Sequence, residues 1–220
     1  MRTLKALLVL VLVGLTTSAS AQFANSASSF GKSIWTTVNT DGYNRIYVSY
    51  LPSKLDMYGV LDFKMNGSFQ VGYLRGIGLT QKVPLYLEVG GALQYRNGKF
   101  DFTESGYVIS EEINMLSVNI PLSLVYRLNI SDDFAISPNF GLDFRVNVTG
   151  KDKYEENGEE IYDINIFSDG DAKRFQAGWH IGVGFDYRAL HFGVDYGTDF
   201  NNIVEESKGK TTSITLGLNF

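Results

Sequence analysis

Glu88, Arg96, Arg127, Asp143, Arg145, Asp186, Arg188 and Asp195 all fall at the polar parity of stretches in which every other residue is large and apolar. Acids and bases gathered on one face can line a polar channel or hold a proton or ligand. They can also pair with one another and fill the space between strands. A charge taken out of water costs several kcal/mol unless it is paired, and acids and bases stand at parity here. A salt-bridged, filled interior is therefore the expected arrangement. The chain's two histidines, His180 and His191, lie close to the same parity. A serine–histidine hydrolase of membrane lipid needs a histidine beside a serine and an acid at the outer rim. His180 reads as mid-strand and inward, and His191 as lying at a short-turn end, so the chain reads as non-enzymatic.

No cysteine is present, which removes disulfides, thiol-ligated metals and a lipid-bearing cysteine. Residues 151–173 carry Asp152, Glu155, Glu156, Glu159, Glu160, Asp163, Asp169 and Asp171. Such a density of oxygen ligands suits calcium, and Asp169-Gly170-Asp171 invites the idea. The spacing of a calcium loop does not follow, so the stretch reads as a solvated charge run. Neither a metal nor a cofactor is expected.

Strands must position these side chains. Over residues 175–187 one face reads Phe175, Ala177, Trp179, Ile181, Val183, Phe185, Tyr187, and the other Gln176, Gly178, His180, Gly182, Gly184, Asp186. This period of two marks a β-strand. It recurs over 43–51, 67–80, 85–96, 115–130, 134–149, 191–197 and the closing 211–220, making eight strands. Connections at 80–84, 129–133 and 187–190 are short, and those at 52–66, 97–114, 150–174 and 198–210 are long. Their strict alternation predicts an all-β, antiparallel up-and-down barrel with the short turns on one rim. Asp41-Gly42 and Asn66-Gly67 are hairpin dipeptides, which keeps a ten-stranded barrel as an alternative.

Arg2 and Lys5, the apolar run 6–15 and Ala19-Ser20-Ala21 make residues 1–21 a signal peptide. Residues 22–42 then read as a periplasmic lead segment and 43–220 as the barrel. Loss of Arg2 and Lys5 leaves 17 of 19 basic residues against 24 acidic ones, a net −7. That charge argues against nucleic-acid binding, which needs a basic footprint. The abundance of Gly (23), Tyr (13) and Phe (15) over Pro (4) fits strands.

A soluble ligand-binding barrel packs its apolar face inward, whereas a membrane barrel turns that face to lipid and its polar face to the lumen. Here the polar face is rich in Gly, Ser and Asn with scattered charges, which suits a narrow interior. The apolar face carries aromatics towards segment ends, as an interfacial girdle requires. A β-chain in lipid must also close on itself, since an open edge has no hydrogen-bond partner there. The expected fold is thus an eight-stranded transmembrane β-barrel.

"NMLSVNIPLSLVYRL", "FAISPNFGLDFRVNV" and "QAGWHIGVGFDYRALHFGVDYGTDF", with the terminal "LGLNF", resemble the PorT-like outer-membrane barrel proteins of Bacteroidetes. The resemblance spans most of 43–220 and implies a Gram-negative outer membrane as location. It implies no catalytic residues, because such barrels serve as adhesins, anchors and secretion accessories alike. It also implies that the terminal aromatic, Phe220, is the signal read by the barrel assembly machinery.

The expected function is a monomeric, non-enzymatic structural or surface-interaction protein in contact with outer-membrane lipid, whose outer loops meet an extracellular partner. A narrow pore or small-solute transporter is the alternative, and a barrel enzyme acting on outer-membrane lipid the next. Three residues fit the pattern badly. Pro121 and Pro138 lie inside strand patterns and predict local bulges or irregular starts. Arg75 falls at lipid-facing parity, where a mid-depth charge costs about 2–4 kcal/mol, and predicts a bulge that turns it inward.

Overall fold

The computed structural model describes residues 42–57, 61–80, 83–104, 107–168, 172–203 and 207–220. The expected signal peptide, all but the last residue of the lead segment, and Asp169-Gly170-Asp171 lie outside the described residues.

Among the described residues, twelve strands form one antiparallel sheet: β1 (Tyr43–Tyr50), β2 (Ser53–Met57), β3 (Leu61–Met65), β4 (Phe69–Gly78), β5 (Leu85–Glu104), β6 (Tyr107–Tyr126), β7 (Leu128–Asn129), β8 (Phe134–Glu156), β9 (Glu159–Asn165), β10 (Phe175–Tyr187), β11 (Leu190–Asp199) and β12 (Ser207–Asn219). Eight of them close a ring in the order β1-β4-β5-β6-β8-β10-β11-β12, sealed by β1 against β12. The seam runs from Tyr50↔Ile214 to Arg45↔Asn219. Its last rung is Phe220, whose N–H donates to Asn44 O at 2.9 Å and whose carbonyl accepts from Asn44 N at 2.8 Å.

The other four strands add no staves. β2 continues β1 past Leu51-Pro52 and stays on β12, with Ser53 opposite Thr211. β3 leads into β4 through Asn66–Ser68, so the dipeptide Asn66-Gly67 makes no hairpin. There Gly67 N donates to Asn97 O at 3.1 Å and Ser68 Oγ to Met65 O at 2.9 Å. The ring therefore has eight staves, and ten is excluded. A true two-residue hairpin lies elsewhere, at Asn157-Gly158 between β8 and β9. Both residues have positive φ, 51° and 84°, as such a turn demands.

Side chains alternate as a membrane barrel requires. Tyr43, Arg45, Tyr47 and Ser49 point inward and are buried, while Ile46, Val48 and Tyr50 point out. The outer belt is apolar apart from Arg75, with Val48 58%, Leu93 56% and Leu216 61% exposed. So continuous an apolar surface demands a hydrocarbon environment. Aromatics cluster near the long-connection side, including Phe69 against Tyr95 at 5.3 Å and Trp179 against Tyr196 at 6.3 Å.

Glycines in the staves make room for the large inward side chains. A Cβ on Gly72 would lie 2.6 Å from the Tyr47 ring, and one on Gly141 2.5 Å from the His180 ring. A Cβ on Gly182 would sit 1.9 Å from Asp195 Oδ1.

Stave length varies from 8 residues in β1 to 23 in β8. A tilted membrane strand needs about 9–11 residues, which β4 (10) and β11 (10) match. β5 and β6 (20 each) and β8 (23) exceed it. Their surplus of about ten residues, at roughly 3.3 Å each, projects about 30 Å beyond the barrel. With β9 they form a four-stranded outer sheet, where uninterrupted long loops were expected at 97–114 and 150–174. A bulge marks the transition: Leu116 pairs Thr149 but Ser117 pairs Asn147, leaving Val148 as the extra residue.

The prolines cause no bulge. Register on both sides of Pro121 is the same, with Val89↔Leu122 and Ala92↔Asn119, and only the rungs between are missing. Pro138 stands opposite Tyr126, where β6 ends, and Val125↔Asn139 and Leu128↔Ile136 on its two sides keep one register. A missing N–H is cheaper to accommodate by dropping a rung than by shifting a stave whose two faces meet lipid and lumen. Arg75 likewise stays outward. β4 keeps continuous register with both neighbours, and Arg75 Nη1 reaches Asn44 Oδ1 at 3.4 Å near the short-turn rim. A long side chain at that depth snorkels to water instead of needing a bulge.

Candidate functional site

Two places gather chemistry: the lumen and the outer sheet. In the lumen, β1, β5, β10, β11 and the β6–β7 junction build a cluster at the short-turn end. Arg45 Nη1 lies 3.1 Å from Glu88 Oε1, and Tyr43 OH also donates to Glu88. Asp186 is the hub: its oxygens meet His191 Nδ1 at 2.8 Å, Asn219 Nδ2 at 2.7 Å and Ser137 Oγ at 3.2 Å. Arg127 Nε stands 3.5 Å and Arg45 Nη2 3.7 Å from the same carboxylate. The Arg45 and Arg127 guanidiniums both lie over the Tyr43 ring, at 5.3 and 5.4 Å. Tyr43, Tyr47, Leu74, Tyr86, Ala92 and Val125 pack together as an apolar cluster beside this network.

At mid-lumen, Ser123, His180 and Asp143 stand in line. Ser123 Oγ is 2.8 Å from His180 Nε2, and His180 Nδ1 is 2.6 Å from Asp143 Oδ2. With the proton on Nδ1, the imidazole donates to Asp143 and accepts from the serine hydroxyl, which is the order of a charge relay. Ser123 lies mid-strand between β5 and β8, where backbone N–H groups serve the ladders, and Asn119 Nδ2 is committed to Asp143 at 3.1 Å. Asp195 accepts from Asn139 Nδ2 at 3.0 Å in the same layer.

Above, Arg145 Nη1 pairs Asp199 Oδ2 at 3.2 Å. Asn147 donates to Gln176 and accepts from Ser117 Oγ at 2.6 Å. Arg96 is buried here. A cavity of about 130 Å³ runs through these layers. Over it sits an apolar seal in which Leu55, Met65, Met115, Phe167 and Ile203 pack together, all buried. Gly150 allows this packing, since a Cβ there would lie 2.4 Å from the Phe167 ring.

Of the eight charged residues singled out by parity, seven face this lumen or its rim and come together in these layers. Arg188 does not. It occupies the Tyr187–Leu190 turn with φ 54°, exposed, with Nε 3.3 Å from Asp133 Oδ1. A two-residue turn interrupts the alternation, so parity counted through it carries no meaning. Parity counting passed over Arg45, which stands at the inward parity within the 43–51 stretch, and Asp199, which faces inward once the 191–197 stretch is extended to the end of β11.

The outer sheet is a different surface. Lys153 bridges Glu155 at 2.7 Å and Glu160 at 3.1 Å, Lys151 holds Asp163 at 3.0 Å, and Tyr154 stacks on Tyr162 at 5.3 Å. The acidic stretch is thus largely a strand pair, its carboxylates spread along both faces. The hydrogen bond from Lys153 holds Glu155 below its ordinary range. Burial, with the Asp152 carboxylate nearby, raises Glu111, and burial raises Asp152.

The family described as "Outer membrane protein beta-barrel domain" matches residues 13–205. Among curated proteins none matches the chain. Similar solved structures include Ail, the attachment invasion locus protein of Yersinia pestis, with 15% identity, 82% of this chain and 99% of that one covered, and a TM-score of 0.48. The outer membrane enzyme PagL shows 10% identity over 79% and 98%, with a TM-score of 0.45. The outer membrane protein OprG from Pseudomonas aeruginosa shows 13% over 81% and 95%, with 0.39.

Proposed function

The chain belongs to the family of outer membrane protein beta-barrel domains, and on that premise we propose that it is a non-enzymatic surface protein. In this reading a closed barrel anchors the four-stranded outer sheet, and that sheet meets an extracellular partner. The finer kinship to PorT-like barrels belongs to the same reading, as do a monomeric state and export by residues 1–21. The observation that carries it is the seal: Met65, Met115 and Ile203 are at most 1% exposed and pack together above a lumen crossed by ion pairs. An apolar plug above a salt-bridged interior supports anchoring and speaks against steady conduction.

Planar-bilayer recording tests this directly. The protein is expected to give no steady single-channel current, and a stable open conductance would overturn the reading in favour of the pore. Replacing residues 99–112 and 151–165 by short turns tests the outer sheet. The shortened barrel should still show a heat-modifiable gel shift while losing attachment of cells to the surfaces the wild type binds.

One observation favours a second reading, an enzyme: the alignment of Ser123, His180 and Asp143. It predicts that a fluorophosphonate labels Ser123 and that His180→Ala abolishes the labelling. The first reading predicts no labelling in either protein.

Phe220 has its own expected role as the assembly signal. Its deletion removes the last rung of the seam and should impair insertion by the assembly machinery more than Phe220→Tyr does. Equal insertion of the two would discard that role.

A further inference from the structure

Arg96 is the lumen's least satisfied charge. It lies on β5, next in the ladder to Met115 of the seal, and is 1% exposed. Its Nε and Nη2 are buried with no hydrogen-bond acceptor. These two atoms share one edge of the guanidinium, the edge that grips two oxygens of a carboxylate or phosphate side-on. An entire bidentate face is therefore unused in a place where water cannot reach it from outside.

The neighbouring acids are spent elsewhere. The charges acting on Arg96 are Arg145, Asp199 and Asp143. Asp199 turns both oxygens to Arg145 Nη1, at 3.4 and 3.2 Å. Asp143 is taken by His180 and Asn119. Arg145 in turn leaves its own Nε buried without an acceptor. Two arginines thus share one carboxylate, and three N–H-bearing nitrogens aim at nothing the chain provides. A trapped water would answer a donor but not the surplus charge, and an unpaired buried charge is the costlier deficit. Room exists beside Arg145: the cavity of about 130 Å³ is lined by Arg145, Asp199 and Gln94, and Arg96 follows Gln94 by two residues on the same face of β5, just beyond that lining. That space is ample for a small oxyanion or a few waters.

We propose that Arg96 and Arg145 form an internal site for a small oxyanion, a phosphate, bicarbonate or carboxylate, gripped side-on by Arg96 beneath the apolar seal. A spherical chloride receives both N–H groups on one centre at bent angles, whereas an oxyanion offers each its own oxygen in line, so the site discriminates by shape as well as charge.

The full-length barrel, folded in detergent, is titrated with inorganic phosphate in a calorimeter, and its thermal midpoint is followed by near-ultraviolet circular dichroism. Chloride at matched ionic strength is the control, and acetate is the arm that separates a carboxylate from a phosphate site. Saturable heat and a midpoint that rises with phosphate or acetate, but not with chloride, are expected. Arg96→Met should abolish both responses. Arg96→Lys, which keeps the charge without the fork, should bind at least about tenfold more weakly, the loss of one charge-assisted hydrogen bond. Broadening of the phosphorus resonance of added phosphate by wild-type barrel gives a readout that needs no variant to fold. The proposal is overturned if phosphate, acetate and chloride act alike on the wild type, if Arg96→Met keeps the response, or if neither line broadening nor an acetate effect is seen.

Discussion

At the short-turn end of the lumen Asp186 accepts from His191, Asn219 and Ser137 and faces Arg45 and Arg127. At the outer end Arg96 lies as deep with a whole guanidinium edge unanswered. Both ends have the same problem, charges sealed away from water between staves. The first answers most of it with its own residues, leaving only Arg127 Nε among its charged groups without a hydrogen-bond acceptor. The second leaves a local excess of positive charge, although carboxylates are plentiful elsewhere in the lumen. Pairing within a barrel is decided layer by layer, because inward side chains from neighbouring staves meet only at their own depth.

The largest expected effect is at the paired end. Asp186→Ala strips the partner from two arginines and a histidine and should cost about 3–5 kcal/mol of stability, as removal of one member of a buried ion network does. Urea unfolding of the folded barrel measures it, and a loss under 1 kcal/mol would mean water substitutes freely there. At the unpaired end the sign reverses. In a buffer free of small oxyanions, Arg96→Met replaces an uncompensated cation by an apolar side chain of similar length and should stabilise by about 1–4 kcal/mol. Destabilisation comparable to that of Asp186→Ala would erase the distinction between the two ends.

Outside the lumen, Arg75→Leu removes a charge from the lipid face near the short-turn rim and should change stability by no more than about 1 kcal/mol. A gain of 2–4 kcal/mol would instead place Arg75 at mid-depth. The smallest effect concerns pH in the outer sheet. Glu111 and Asp152 have raised affinities for protons in the folded sheet, so the folded state binds protons more readily than the unfolded one. Stability of the sheet therefore rises as pH falls from neutral towards the ordinary carboxylate range. Glu155, held low by Lys153, opposes this only below that range. Hydrogen exchange of residues 107–113 and 151–156, corrected for intrinsic rates, should be slower at pH 5 than at pH 7.5. Glu111→Gln should shrink the difference.

The ring was legible because lipid outside and a crowded lumen inside impose the same strict alternation on every stave. Val118 and Ile120 face lipid while Ser117 and Asn119 face the lumen, and no turn chemistry is needed to read that. The outer sheet was not legible for the same reason. Beyond the membrane neither face of β9 has to be apolar, so "GEEIYDIN" shows no alternation, and its one local signal was Asn157-Gly158. The misplaced Arg188 shows the converse, a parity argument carried through a turn where parity has no physical basis.

By itself, then, the amino-acid sequence determined the eight staves, their sidedness and the alternation of short and long connections, because these follow from a local period set by the environment on each face. Tertiary structure alone decided which charges meet. Asp199 reaches Arg145 across 54 positions of chain, and Met65, Phe167 and Ile203 converge from three separate connections to form the seal with Met115. Such encounters depend on stave stagger and depth, quantities fixed by closure of the ring and by no stretch of residues within it.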